Sequence, residues 1–290
     1  MIAEATGQST LRAALPSRGT RRIVRRVSYT ILFRQFPLDH LDALAPVVAQ
    51  AYGLNDYDAR SKIRKGWGFL EREATEEDAQ RILEAIGDCA GGAVAIDSAT
   101  LRAPAVPRVT TGVEFAPNGF TLRLQSPKDP TRFLEWAQVE VVSAGQFSEE
   151  IVKRASGGDE KKMGTMMLGM GVFLVTGIPP GLLGGGKKKK KEAKPEKSTR
   201  TITFGRVVTT AGEQFAFTPD HFDFSGLAEK KQLNTGANFR VLLAELATLT
   251  SAKVNVGARL LLDNRSLTYA NYTGPHDFES ELLWLLNAPS

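Results

Sequence analysis

From Val27 to Arg34 the chain alternates, with Val27, Tyr29, Ile31 and Phe33 on one side of an extended backbone and Ser28, Thr30 and Arg34 on the other. A period of two predicts a strand with one buried face. Pro37 ends it. From Leu41 the period becomes helical, with Leu44, Val48 and Tyr52 on one side, Asp39 placed to cap and Gly53 to stop. A second short helix is predicted over 56–66, ending near Gly66 and Gly68. The third is the clearest. Thr75 with Asp78 three residues on can form a capping box, and Glu76 and Glu77 suit the positive end of a helix. Ala79, Ile82, Leu83 and Ile86 then make one buried stripe, and Gly87 follows where a C-cap favours glycine. Residues 93–101, AVAIDSATL, read as a strand returning to the first.

After Ala103, Pro104 and Pro107 the period returns to two. VTTGVEF, GFTLRLQ, AQVEVVSAGQF, TITFGRVVTT, EQFAFTP, HFDFSGL, VNVGARLLL and LTYANY all read as short strands. Helices are predicted at Asn238–Thr248 and from Asp277 through Leu286. The expected organisation is a basic flexible tail (1–26), a small α/β domain (27–102), a linker (103–107) and a β-rich domain (108–290) with an insert at 156–200. The fold class is α+β, and many antiparallel strands closed by an amphipathic helix suit a small barrel or sandwich.

In the first part, the order and spacing of "VV-x-x-AYGL" (47–54), "D-A-x-x-x-I" (58–63) and "T-E-E-D-A-x-x-x-L-E-x-x-G" (75–87) resemble the C-terminal domain of the bacterial ribosomal stalk protein. The likeness covers a quarter of the chain and implies a small α/β domain with helices on one face of a sheet. In that family the first two helices present lysines to translation factors. Here the matching stretches hold Ala45, Pro46, Ala49 and Asp58, with Arg60, Lys62, Arg64 and Lys65 as the basic residues. The factor-binding surface is not reproduced, and the resemblance carries fold alone. Residues GFTLRL…RFLEWAQVEVVSAG resemble, in a short and degenerate motif, bacterial pleckstrin-homology-like domains. That likeness implies a curved sheet crossed by a strand bearing Trp136 and Val139, a terminal helix DFESELLWLL as its plug, and binding of peptides, lipids or each other without chemistry.

Charge changes this picture. The chain carries 37 basic and 32 acidic side chains, a net +5. Six arginines against Glu4 in residues 1–26 contribute +5, and eight basic residues against two acids in 187–200 contribute +6, so the remainder nets 5 − 5 − 6 = −6. Like-charge runs stay solvated, and a basic DNA-reading face on a folded part is not expected. The N-terminal segment is also Arg-rich and nearly acid-free, as transit peptides are; a plain basic tail has the same composition. One cysteine, Cys89, excludes a disulfide framework and fits a reducing compartment.

The sharpest feature is MGTMMLGMGVFLVTGIPPGLLGGG, 24 residues without a charge at 163–186, followed by Lys187, Lys188, Lys189, Lys190 and Lys191. Its length would permit a membrane span. Pro179-Pro180 and eight glycines oppose a helix, and a span would put strands of one sheet on opposite sides of a membrane. Two readings remain. Either the segment packs on the protein beside a solvated lysine loop, or Met166, Met167, Met170 and Phe173 enter a membrane or meet a partner while the lysines face anionic headgroups.

Other motifs lead nowhere chemical. Gly181–Lys187 begins like a phosphate-binding loop, but Lys188 stands where its Ser or Thr belongs. His40, His221 and His276 are scattered, and Asp220 would point opposite to His221 on a strand. Ser143 and Ser225 lack a nucleophile elbow, Cys89 has no basic neighbour, and Glu71, Glu73, Glu76, Glu77 and Asp78 belong to a helix start. The residues point to a non-enzymatic interaction or adaptor protein, cytoplasmic, with no cofactor and no metal. Its expected partner is a protein or an anionic lipid surface, met through the insert and its lysines. An RNA- or ribosome-associated protein using its basic tails for non-specific binding is the alternative, and an enzyme whose site forms only in three dimensions is a third. Sequence-specific DNA binding is not expected.

Overall fold

A computed structural model of the chain describes residues 27–153 and 196–289. The first part runs β1 (Tyr29–Phe33), α1 (Leu41–Tyr52), α2 (Asp56–Gly66), β2 (Phe69–Ala74), α3 (Glu76–Ile86) and β3 (Ala93–Asp97). The strands form an antiparallel sheet in the order β2-β1-β3. All three helices pack on one face, over Ile31, Phe33, Leu44, Val48, Ile63 and Ile82. Helix α3 starts and stops where the sequence predicts. Thr75 Oγ1 accepts from Asp78 N at 3.1 Å, Ala79, Ile82 and Ile86 are buried, and Gly87 is the C-cap.

Three local expectations change. Strand β2, FLEREA, has three charged residues in a row and no alternation; it forms because β1 offers it an edge. Asp39 does not cap α1: its Oδ2 lies 3.1 Å from Arg259 Nη1, far along the chain. Strand β1 is covered on both faces, for Thr30 and Leu32 are as inaccessible as Ile31.

The second part runs β4 (Arg108–Ala116), β5 (Gly119–Leu124), β6 (Thr131–Glu135), β7 (Val139–Lys153), β8 (Glu196–Thr209), β9 (Gln214–Phe217), α4 (Thr235–Leu249), β10 (Lys253–Val254), α5 (Val256–Leu262) and α6 (Pro275–Asn287). The strands make one sheet in the order β10-β7-β8-β9-β4-β5-β6. The molecule is therefore mixed α/β with a large mixed sheet. Pairs β10/β7 and β4/β9 are parallel, the others antiparallel.

The expected barrel is not formed. Among the described residues β10 and β6 are the two edges, and they do not pair. The reason lies in the middle strands. Val142, Ala144 and Val207 face one core with α4 and α5, while Val141, Phe147, Phe204 and Val208 face another with α6. Strands buried on both faces by separate helices leave no single interior around which the sheet would close.

Three stretches read as strands are not. Residues HFDFSGL and LTYANY lie in 3₁₀ turns and loops, and most of VNVGARLLL becomes α5. Asn255 is responsible for the last: its Oδ1 accepts from Ala258 N at 2.8 Å, a helix N-cap inside an apparent alternation. Strand β6, which the alternation does not mark, pairs with β5. Trp136 sits in the turn after β6, not on a strand; it packs on Phe115 and Phe120, and its Nε1 donates to Pro117 O.

Helix α6 does not plug a barrel either. It lies between the two sheets, in one cluster with Leu32, Phe36, Trp67 and Phe69 on one side and Val141, Phe204 and Val208 on the other. Trp284 Nε1 donates to Phe33 O at 2.7 Å. Its indole occupies the space where a Cβ on Gly68 would stand, and Gly68 has φ +98°, so glycine is required there twice over. The preceding Trp67 takes φ 48°, uncommon for a bulky residue, and its ring stacks on Tyr272 at 4.7 Å.

Candidate docking site

Strands β7 and β8 pair without a break from Val141↔Val208 to Lys153↔Glu196. Only the base of this ribbon belongs to the sheet, since β10 joins β7 at Val141–Val142 and β9 joins β8 at Gly205–Val208. Phe147 and Ile202, cross-strand partners, are the outermost buried pair; beyond them Ser148 and Thr201 are exposed. The chain thus leaves the described structure at Lys153 and re-enters it opposite, at Glu196. Met166, Met167, Met170, Phe173, Lys187, Lys188, Lys189, Lys190 and Lys191 all lie outside the described residues, as do residues 1–26 and the glycine-lysine motif at 181–187.

The described surface also holds an open cleft of about 590 Å³ beside β6. Arg108 and Arg132 line it, but acids already engage both. Arg108 pairs with Asp129 and approaches Glu213 at 3.8 Å, and Arg132 reaches Glu213 at 2.7 Å. Both arginines are engaged by acids and the mouth is open; Arg132 Nε alone is buried there without a partner, so no set of unpaired polar groups converges as in a catalytic pocket.

The sequence candidates for chemistry are not brought together. His40 ends the turn before α1, His221 is exposed after β9, and His276 is exposed on the first turn of α6. Asp223 accepts from Arg123 at 2.6 Å and from Ser225 N and Oγ at 2.8 and 2.9 Å. The Arg123 hydrogen bond first, then those from Ser225, hold its carboxyl down at about 2. This is a braced turn. Ser143 is buried and donates to Arg206 O, Cys89 donates weakly to Ala43 O, and Glu71 pairs with Lys62 at 3.1 Å. Among the described residues no three His, Cys, Asp or Glu side chains are grouped to hold a metal, and no helix is long and apolar enough to cross a membrane.

One polar cluster was missed from the sequence. Glu281, on α6, is 1% exposed. Its Oε1 accepts from Val256 N at 2.7 Å, and Tyr272 Oη donates to its Oε2. Asn255 Nδ2 donates to Tyr272 Oη at 2.8 Å and to Ala144 O at 2.9 Å, while its Oδ1 accepts from Ala144 N. Burial, opposed by these donors, pushes the Glu281 carboxyl up to about 7. Burial and the Glu281 charge raise the Tyr272 hydroxyl well above its ordinary value. A signal was present: Glu281 stands three residues after Phe278 and three before Trp284, on the apolar stripe of a helix.

Comparison with known families, with curated proteins and with solved structures finds no match to this chain.

Proposed function

We propose that the protein is a non-enzymatic interaction protein of the cytoplasm that docks on an anionic membrane surface, with the β7–β8 ribbon as its arm and the insert as its contact. The observation that carries this reading is the Lys153↔Glu196 pairing. Opposed residues of antiparallel strands stand about 5 Å apart, whereas a hydrocarbon core is about 30 Å thick. An apolar segment tethered at such a pair has to enter and leave a bilayer by the same face, which suits peripheral insertion. The lysines that follow, each worth about 1 kcal/mol near anionic headgroups, supply the second of the two attractions that stable peripheral binding needs. The free thiol of Cys89 fits a reducing compartment.

Co-sedimentation with vesicles of phosphatidylserine and phosphatidylcholine tests the reading. The full chain is expected to pellet at low salt and to be released as salt rises. A variant lacking 163–191 is expected to keep its unfolding temperature and to stay in the supernatant. A full chain that remains in the supernatant at low salt overturns the proposal.

A further inference from the structure

Glu281 sits at the centre of the contacts that join the first three-stranded sheet to the rest of the molecule. Tyr272, which donates to its carboxyl, stacks on Trp67 at 4.7 Å. Ser280, its neighbour, accepts from Arg72 Nη2 at 3.1 Å. Trp284, one turn on, donates to Phe33 O. Val256, whose N–H donates to Glu281, lies one turn before Arg259, and Arg259 pairs with Asp39. Each of these ties crosses between the halves, and each begins within one turn of a group bonded to one carboxyl.

That carboxyl has no ion pair among the described residues. The groups facing it are Tyr272 from the loop before α6, and the Val256 N–H, Asn255 and Arg259 from α5. Arg259 acts on it only at a distance and is engaged by Asp39, while Arg72 stops at Ser280. On α6 itself Glu279 is taken up by Arg206, and Asp277 by Thr273. A carboxyl withdrawn from water without a counter-ion favours its neutral form, and an ionised one there calls for rearrangement or water entry. We propose that loss of the Glu281 proton loosens the seam between the two halves, so that the protein carries a proton-operated joint at α6. A value of about 7 for this carboxyl puts the transition near neutral pH.

Amide exchange of the full chain, followed by mass spectrometry at about pH 6 and about pH 8 and corrected for intrinsic rates, tests the joint. At the higher pH, peptides covering 66–72 and 272–284 are expected to lose about tenfold more protection than those in β4, β5 and β6. Glu281→Gln, which cannot ionise, should abolish this selective loss. Tyr272→Phe, which removes a donor to the ionised form, should move its midpoint to higher pH. The same selective loss in Glu281→Gln, or a loss at 66–72 and 272–284 no greater than that in β4, β5 and β6, overturns the joint.

Discussion

The three-stranded sheet has two faces, and they are built differently. One is covered by α1, α2 and α3, all within 70 residues of β1, and its core is built from apolar contacts, among them Ile31, Phe33, Ile63 and Ile82, with the Tyr52 hydroxyl buried at its edge. The other is covered by α6, whose Trp284 is 251 residues from Phe33, and it mixes aromatic rings with directed hydrogen bonds. The local face needs only matching stripes, because its helices satisfy their own backbones. The borrowed face removes from water groups that had no partner: the Phe33 carbonyl, and the first N–H groups of α5. Each then requires a specific donor or acceptor, which Trp284, Glu281 and Asn255 provide.

The largest test of this contrast is Trp284→Ala. It should cost about 3–5 kcal/mol in urea unfolding, as loss of a buried aromatic does, and it also orphans the Phe33 carbonyl. Because α6 serves both sheets, amide protection should fall in β1 and in β7 together; a loss confined to one sheet would show that the halves close independently.

Next is pH. An ordinary glutamate near 4.5 when unfolded and about 7 when folded binds its proton more tightly in the native state. That contribution is fully present below about 4.5 and is lost as pH rises through 7. Roughly 3 kcal/mol of stability should therefore disappear across that window, and Glu281→Gln should flatten the profile measured by denaturant unfolding.

The smallest effect belongs to the local face. Thr75→Ala removes one helix cap and should cost about 1 kcal/mol by the same measurement, at any pH in that window. A larger cost would mean that α3 is tied to the rest of the molecule more closely than its single stripe implies.

Legibility follows the same division. Helix α3 was readable to its ends because its cap, stripe and stop all lie within thirteen residues and act on one another. Strands β7 and β8 were readable where they bury apolar residues, up to Phe147 and from Thr201; their outer ends, 148–153 and 196–200, carry no such signal, and 196–200, expected in the insert, is strand. Strand β2 was not, since Glu71, Arg72 and Glu73 carry no period and only the β1 edge makes them extended. Helix α5 reads as a strand in sequence because three alternating residues outweigh Asn255, whose capping role shows only once β7 holds its side chain. The proposed docking residues were legible as an apolar run beside lysines. That both ends of their segment meet at one cross-strand pair was not.

The sequence by itself determined which segments are periodic, where several helices begin and end, and that one uncharged stretch with a lysine run stands between strands of the second part. Tertiary structure alone decided that the large sheet stays open, that α6 serves two sheets and that Glu281 is sealed inside. The physical reason is that periodicity records how many faces of an element leave water, whereas the partner that covers each face is chosen by chain segments hundreds of residues away.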